Sequence, residues 1–238
     1  MAAVVGLSAC GGKKSDSKDS ASSSSSATTA QPQSELAKLS GNEISEKSKQ
    51  ALTSVTSMHM KIDRPGGSGN LDLTLDRQGN CVGTVFKGGG TMEIIKIGNK
   101  VWIKGDEAFI NRRGGHSERA KLFQGRYIYG TTDDDQVRKT GSACDLAALQ
   151  AKMAGERDKE EVTKGAPTTV NGQPVIPITS SKKTVIDVAA TGKPYPLQVT
   201  KADQSKMTLS DFDKPVQPKE PPADQTVDIA KLKEQQGS

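Results

Sequence analysis

The stretch Met58-His59-Met60-Lys61-Ile62-Asp63-Arg64-Pro65-Gly66-Gly67-Ser68-Gly69-Asn70-Leu71-Asp72-Leu73-Thr74-Leu75-Asp76 decides the fold. Met58, Met60 and Ile62 alternate with His59, Lys61 and Asp63, and Leu71, Leu73 and Leu75 alternate with Asp72, Thr74 and Asp76. Successive side chains of a strand point to opposite faces, so this spacing gives each segment one apolar and one polar face. Pro65-Gly66-Gly67 breaks the pattern and turns the chain. The reading is two amphipathic strands joined by a turn.

Working outward, the same grammar repeats. Gln78-Gly79-Asn80 leads into 81–87, Gly88-Gly89-Gly90 into 91–97, and Gly98-Asn99 makes a tight hairpin into 100–104. Strands in succession joined by short turns make an antiparallel meander. The triple glycine resembles a phosphate cradle only in composition: strand-like residues flank it on both sides and no helix start follows, so it is read as a turn. Upstream, residues 34–55 form helix, with Leu36, Leu39, Ile44, Ala51, Leu52 and Val55 on one face; Gly41-Asn42 interrupts it, and Asn42 is expected to cap a second helix. Downstream, 106–135 is polar with Phe109, Leu122, Phe123, Tyr127 and Ile128 as anchors, and 144–154 reads as helix. Asp133-Asp134-Asp135 lacks the spaced ligands and glycine of a calcium loop and is read as a solvated helix start. Strands return at 160–164, 173–179, 183–189, 197–201 and 206–212, with Val170-Asn171-Gly172 as a hairpin signal. After Pro215 the chain is rich in proline and charge, and 228–233 suggests a last helical turn.

The whole chain is lean in apolar residues, at 33% hydrophobic and 3% aromatic, with a mean hydropathy of -0.58. Residues 11–33, including an unbroken row from Ser22 to Ser26, account for the deficit. Such a tract cannot bury enough surface to offset the entropy of ordering, and it reads as a disordered tether. The net charge of +5 comes from basic and acidic residues scattered among each other, which is a solubility feature first. Basic residues are not interleaved with stacking aromatics, so nucleic acid is not an expected partner. No cofactor or metal site is expected.

Leu7-Ser8-Ala9-Cys10-Gly11 resembles the lipobox of bacterial lipoprotein signal peptides. Small residues let a peptidase approach the backbone, and the Cys10 thiolate can take a diacylglyceryl group through a thioether. Acyl chains, palmitate among them, contribute about 0.8 kcal/mol per buried methylene, so two of them make a durable anchor. Lys and Arg are missing before Cys10, whereas a signal peptide carries a positive leading region; the natural start is therefore expected upstream. The expected partition is 1–9 as signal-peptide remnant, 10–33 as lipid-anchored tether, 34–215 as the folded domain and 216–238 as a polar tail. The expected location is the cell membrane, lipid-anchored on its extracytoplasmic side.

Cys81 and Cys144 remain. In an exported domain they are expected to pair as a disulfide, with buried free thiols as the alternative. The histidines, His59 and His116, are distant in sequence from both cysteines, and no CxxC is present, so neither zinc nor a cysteine nucleophile is favoured.

The ordering of lipobox, tether, helix, meander, helical insert and second meander resembles the LolA/LppX/LprG-type lipoproteins. The likeness is carried by Gly98-Asn99-Lys100-Val101-Trp102-Ile103-Lys104-Gly105-Asp106, by Cys144-Asp145-Leu146, and by Val188-Ala189 followed by Gly192-Lys193-Pro194-Tyr195-Pro196-Leu197. It covers roughly residues 35–215 and looks most like Gram-positive members. The resemblance implies an α+β fold: an antiparallel sheet curled into a half-barrel, with helices on its concave face. Some relatives in that superfamily carry acylated lipids or lipoproteins in the cavity between.

The reading that follows is a monomeric, non-enzymatic carrier of a hydrophobic, lipid-like ligand. Met58, Met60, Leu71, Leu73, Leu75, Val101 and Ile103 are expected to line the inner sheet face as ligand-binding residues. The alternative is a non-catalytic envelope interaction or sensor protein whose core is filled. A groove of several hundred Å³ would separate the two. Enzyme chemistry has the least support, because no GxSxG or HExxH occurs.

Overall fold

The alternating stretches become strands where the period-two pattern places them. A computed structural model of the chain describes residues 35–67, 69–112, 121–155 and 161–236. The signal-peptide remnant, Cys10, the tether and His116 lie outside the described residues. The strands are β1 Ser57–Asp63, β2 Leu71–Asp76, β3 Cys81–Lys87, β4 Gly90–Ile97, β5 Lys100–Gly105, β6 Tyr127–Thr131, β7 Val162–Lys164, β8 Thr168–Val170, β9 Gln173–Ser180, β10 Val185–Ala189, β11 Pro196–Thr200, β12 Lys206–Ser210 and β13 Thr226–Asp228. They form one 13-stranded sheet in the order β13-β6-β5-β4-β3-β2-β1-β12-β11-β10-β9-β7, with β8 paired to β9. The sheet is curled and unclosed, and the fold is α+β, as expected.

The sheet is two meanders, β1–β6 and β9–β12, joined where β1 pairs with β12. One expectation needs correction: the sheet is mixed, because β13 runs parallel to β6. After β12 the chain crosses to the far edge of the first meander and arrives in the direction of β6, with Thr226 opposite Tyr127. The Asn171-Gly172 signal is a real hairpin, between β8 and β9, with both residues at positive φ (48° and 78°).

The helices are α1 Gly41–Ser54, α2 Glu107–Arg112, α3 Asp135–Gly141, α4 Leu146–Gly155 and α5 Ile229–Gln236. Ser40, not Asn42, caps α1. Its hydroxyl accepts from the Glu43 N–H at 3.3 Å while the Glu43 carboxylate accepts from the Ser40 N–H at 2.8 Å, a reciprocal capping box. Asn42 instead accepts from the Val162 N–H at 3.2 Å and ties α1 to β7.

Helix α1 serves two cores. Leu52 and Val55 belong to a cluster with Met58, Met60, Leu73, Leu75, Ile94, Val101 and Leu209, to which α3 adds Val137 and α4 adds Leu146 and Met153. Ile44 belongs to a second cluster with Ile176, Ile178, Ile186, Val188 and Val199. A disulfide joins Cys81 at the start of β3 to Cys144 just before α4, with 5.6 Å between Cα atoms and both residues fully buried. It fastens the helical insert to the first meander.

The seam between meanders is fastened at one end by Asp213. Its carboxylate accepts from the Thr56 N–H (2.8 Å), the Thr56 hydroxyl (3.0 Å) and the Tyr195 hydroxyl (2.9 Å), and Lys193 Nζ stands 3.4 Å away. The Thr56 N–H is the main reason its pKa is lowered to about 2. Tyr195 stacks on Phe212 at 4.0 Å.

Two outcomes follow. Replacing both Cys81 and Cys144 by alanine frees a crosslink spanning 63 positions and is expected to cost about 3–4 kcal/mol in urea unfolding; an unchanged midpoint would remove the crosslink from the stability account. For Asp213, a folded-state pKa below the ordinary value of 3.8 means the ionised form stabilises the fold above about pH 4, and this contribution is lost as pH falls towards about 2. Asp213→Asn should therefore be less stable than the parent at pH 7, with the gap closing across that window.

Candidate functional site

The register across the seam creates continuous rows on the concave face. Ile178 faces Ile186, Ile186 faces Val199, Val199 faces Met207, and Met207 faces Ile62, so one apolar row crosses β9, β10, β11, β12 and β1. Above part of this row lies a groove of about 630 Å³, floored by Ile186, Val199 and Met207. Its roof is Ser45 of α1 and Met153 near the end of α4, and Val162 of β7 forms a side wall. Ser45 and Met153 are buried, whereas Met207 and Val162 are half-buried. At the mouth stand Lys182, Lys201 and Asp203, all exposed.

The groove exists because the two cores do not merge. Met207 packs against both clusters, and Ser45 follows Ile44 on α1, so the helix presents a small hydroxyl where a larger side chain would fill the gap. Gly41 sets how closely α1 approaches the wall: a Cβ there would lie 2.4 Å from the Val162 carbonyl oxygen.

The structure places the seven candidate ligand-binding residues together, on the concave face of the first meander, but not in this groove. Met58, Met60, Leu73, Leu75 and Val101 are at most 1% exposed, inside the core beneath α1 and α4. Leu71 and Ile103 pack at its margin. The groove lies instead on the second meander. Its signal was present in the sequence as Ile176, Ile178 and Ser180 and as Val199 and Lys201, where period-two apolar alternation switches to polar at strand ends.

On the opposite face, His59 links three strands. Its Nε2 lies 2.6 Å from the Asp72 carboxylate on β2, and its Nδ1 lies 3.1 Å from the Ser210 hydroxyl on β12. These residue types match a nucleophile, base and orienting acid. Yet the Asp211 carboxylate sits 3.5 Å from Ser210 Oγ, where it would repel a developing oxyanion. The arrangement acts as a lock on the seam. Deeper on the concave side, Lys96 donates to the Gly79 carbonyl at 2.9 Å, and burial lowers its pKa. Among the described residues, no group of three or more His, Cys, Asp or Glu side chains is placed to hold a metal ion.

No protein-family model matches the chain, and no curated protein matches it. Solved structures do. LprF from Mycobacterium bovis superposes with a TM-score of 0.53 at 14% identity, over 76% of this chain and 96% of LprF. The Mycobacterium tuberculosis lipoprotein LppX aligns with a TM-score of 0.47 at 12% identity, over 75% of this chain and 98% of LppX. The likeness to LprF shows the fold: the chain has the same curled, unclosed half-barrel architecture.

Gly41→Ala should push α1 away from β7 and lower stability by about 1–3 kcal/mol. Gly155→Ala, where an added Cβ meets nothing within 4 Å, is the matched control and should leave the thermal midpoint unchanged or raised. Equal midpoints for the two variants would show that the close approach at Gly41 does not set the wall.

Proposed function

We propose that this chain is a membrane-anchored extracytoplasmic lipoprotein that binds or carries a hydrophobic, lipid-like ligand. The observation that carries the reading is the groove of about 630 Å³ with an apolar floor, a volume inside the ~300–1,000 Å³ range of small-molecule sites. A fully filled core would have favoured the interaction or sensor reading. Here Met58, Met60, Leu73, Leu75 and Val101 of the first meander are packed inside the core, while the second meander keeps its groove.

The half-barrel fold supports this reading, because its curvature leaves a concave face that helices cover without filling. A fold hosts sites without fixing their ligands, so the groove and not the likeness carries the argument. The anchor is proposed on Cys10, from the Leu7-Ser8-Ala9-Cys10 pattern and the serine-rich tract behind it. Among the described residues no helix is long and apolar enough to cross a membrane. An anchored carrier needs a tether that spaces the domain from the bilayer, and the polar, serine-rich composition of residues 11–33 suits that part.

Native mass spectrometry of the protein made in a membrane-containing host tests the binding. A reproducible adduct extractable into organic solvent is expected for the parent chain. Met207→Trp, which places an indole in the groove floor, should lose the adduct while keeping its circular dichroism spectrum. A clean apo mass for the parent, with no uptake of added lipids, would overturn the carrier reading. For the anchor, Cys10→Ser should move the protein from the membrane to the soluble fraction; retention on the membrane would rule out acylation at this residue.

A further inference from the structure

The stripe that α1 buries runs through Gly41, Ile44, Ser45, Ser48 and Leu52. This is the spacing at which an amphipathic helix carries its apolar side chains. A serine there gives up apolar burial and brings in a hydroxyl that has to be satisfied. Ser45 is only 7% exposed, and it stands in the roof of the groove.

A serine or threonine inside a helix can settle its hydroxyl by donating to the carbonyl one turn back. Thr53 does so in this same helix, donating to the Lys49 carbonyl at 3.0 Å. Ser45 does not: among the described residues its hydroxyl has no hydrogen-bond partner. Nor is its oxygen sealed, because among the described residues no buried side-chain oxygen or nitrogen is both shut off from solvent and without a partner. The Ser45 oxygen is therefore reached through the groove that it lines. Ser180, the other buried serine of the lining, accepts from the Thr184 N–H at 3.4 Å, so its oxygen is already engaged.

A hydroxyl has one proton to donate. In solution water takes it through the groove, and a ligand that fills the groove drives that water out. A plain hydrocarbon segment would then strand the donor above the apolar floor of Ile186, Val199 and Met207, at the full cost of an unmade buried bond. A ligand with an acceptor oxygen at that level meets the donor instead. Sites built to hydrogen-bond a ligand reject the analogue that lacks the group far better than apolar walls tell one chain from another. The acceptor that fits is a carbonyl, because it brings no donor of its own for an apolar floor to satisfy.

We infer that Ser45 is the specificity-determining residue of the groove and that the ligand is a long-chain molecule with a carbonyl set into its apolar body. The carbonyl oxygen accepts from the Ser45 hydroxyl while the chain lies on Ile186, Val199 and Met207. This inference rests on the carrier reading above; it names the chemical class of the ligand and the side chain that selects it. An acyl ester and a chain ketone share this chemistry.

The test is calorimetric titration of the full chain, below micelle-forming concentrations, with three glycerol lipids of equal chain length and head. One is an acyl ester, one its ether analogue, and one an ether that carries a ketone in the chain. At least one carbonyl probe should bind roughly tenfold more tightly than the plain ether, the effect of one buried hydrogen bond made or left unmade. In Ser45→Ala the preference should vanish, chiefly through weaker binding of the carbonyl probe. With an isotope-labelled carbonyl, its infrared band should move to lower frequency on binding to the parent chain and not on binding to Ser45→Ala. Tighter binding of the ester points to an acyl ester as the source, and tighter binding of the ketone to an oxo-lipid; either supports the inference. Equal binding of all three, or a carbonyl preference that survives in Ser45→Ala, overturns it while leaving the carrier reading intact. Failure of every probe to bind overturns both.

Discussion

The pairing of β1 with β12 is the constraint on which the rest of the molecule depends. The other antiparallel neighbours in the two meanders are joined by short connections, or, for β5 and β6, by the segment that carries α2, but this pair brings together residues some 150 positions apart: His59 opposite Ser210, Met60 opposite Leu209 and Ile62 opposite Met207. A slip of one residue would turn every inward side chain of one meander outward. With the observed register, Met60 and Leu209 meet in the first core while Met207 continues the row from Ile62 to Val199. The groove floor is thus a product of long-range register, not of any local motif. Both faces of the seam are secured, by His59 between Asp72 and Ser210 on one side and by α1 spanning both cores on the other.

Much of this was legible in local pattern. The strands of the first meander could be read because alternation and glycine turns are both sequence-local, and Gly79 and Gly98 do sit at positive φ. The cysteine pairing was legible because, on the expectation of export, two cysteines left in one domain can pair only with each other. Other features escaped for physical reasons. Ser40 and Asn42 are both good caps, and the choice fell to Ser40 because Glu43 stands three residues after it. The β9–β10 and β11–β12 turns place Lys183 and Gln204 at positive φ, where no glycine marks the turn. Strand β13 is only three residues long and gains its place from a partner about 100 positions away.

The seven residues singled out in the sequence and the groove lie apart for a related reason. Alternation tells which residues share a face, and the seven residues singled out in the first meander do share one. It does not tell whether that face meets a helix or open space. The first meander meets the insert that carries Val137, Leu146 and Met153, held down by the Cys81–Cys144 bridge, and those side chains pack onto its inner face. The second meander has Ile44 from α1 but no bridged insert of its own, and Ser45 and Gly41 keep the helix slim where it passes over.

This division of labour between the halves makes physical sense for a binding protein. A groove is surface withheld from the core, and each unfilled pocket forgoes the dispersion and transfer energy that packing would supply. A protein with few aromatics has little packing energy to spare. Concentrating the crosslink, the buried leucines and the methionine pair in one meander lets that half hold the fold, so that the other can leave Ile186, Val199 and Met207 incompletely covered. The seam keeps the groove floor in register with the row that continues into the first meander. An amphiphile placed there would restore to the second meander the apolar contacts that the sequence withholds, and the empty volume beside Met207 is where those contacts are missing.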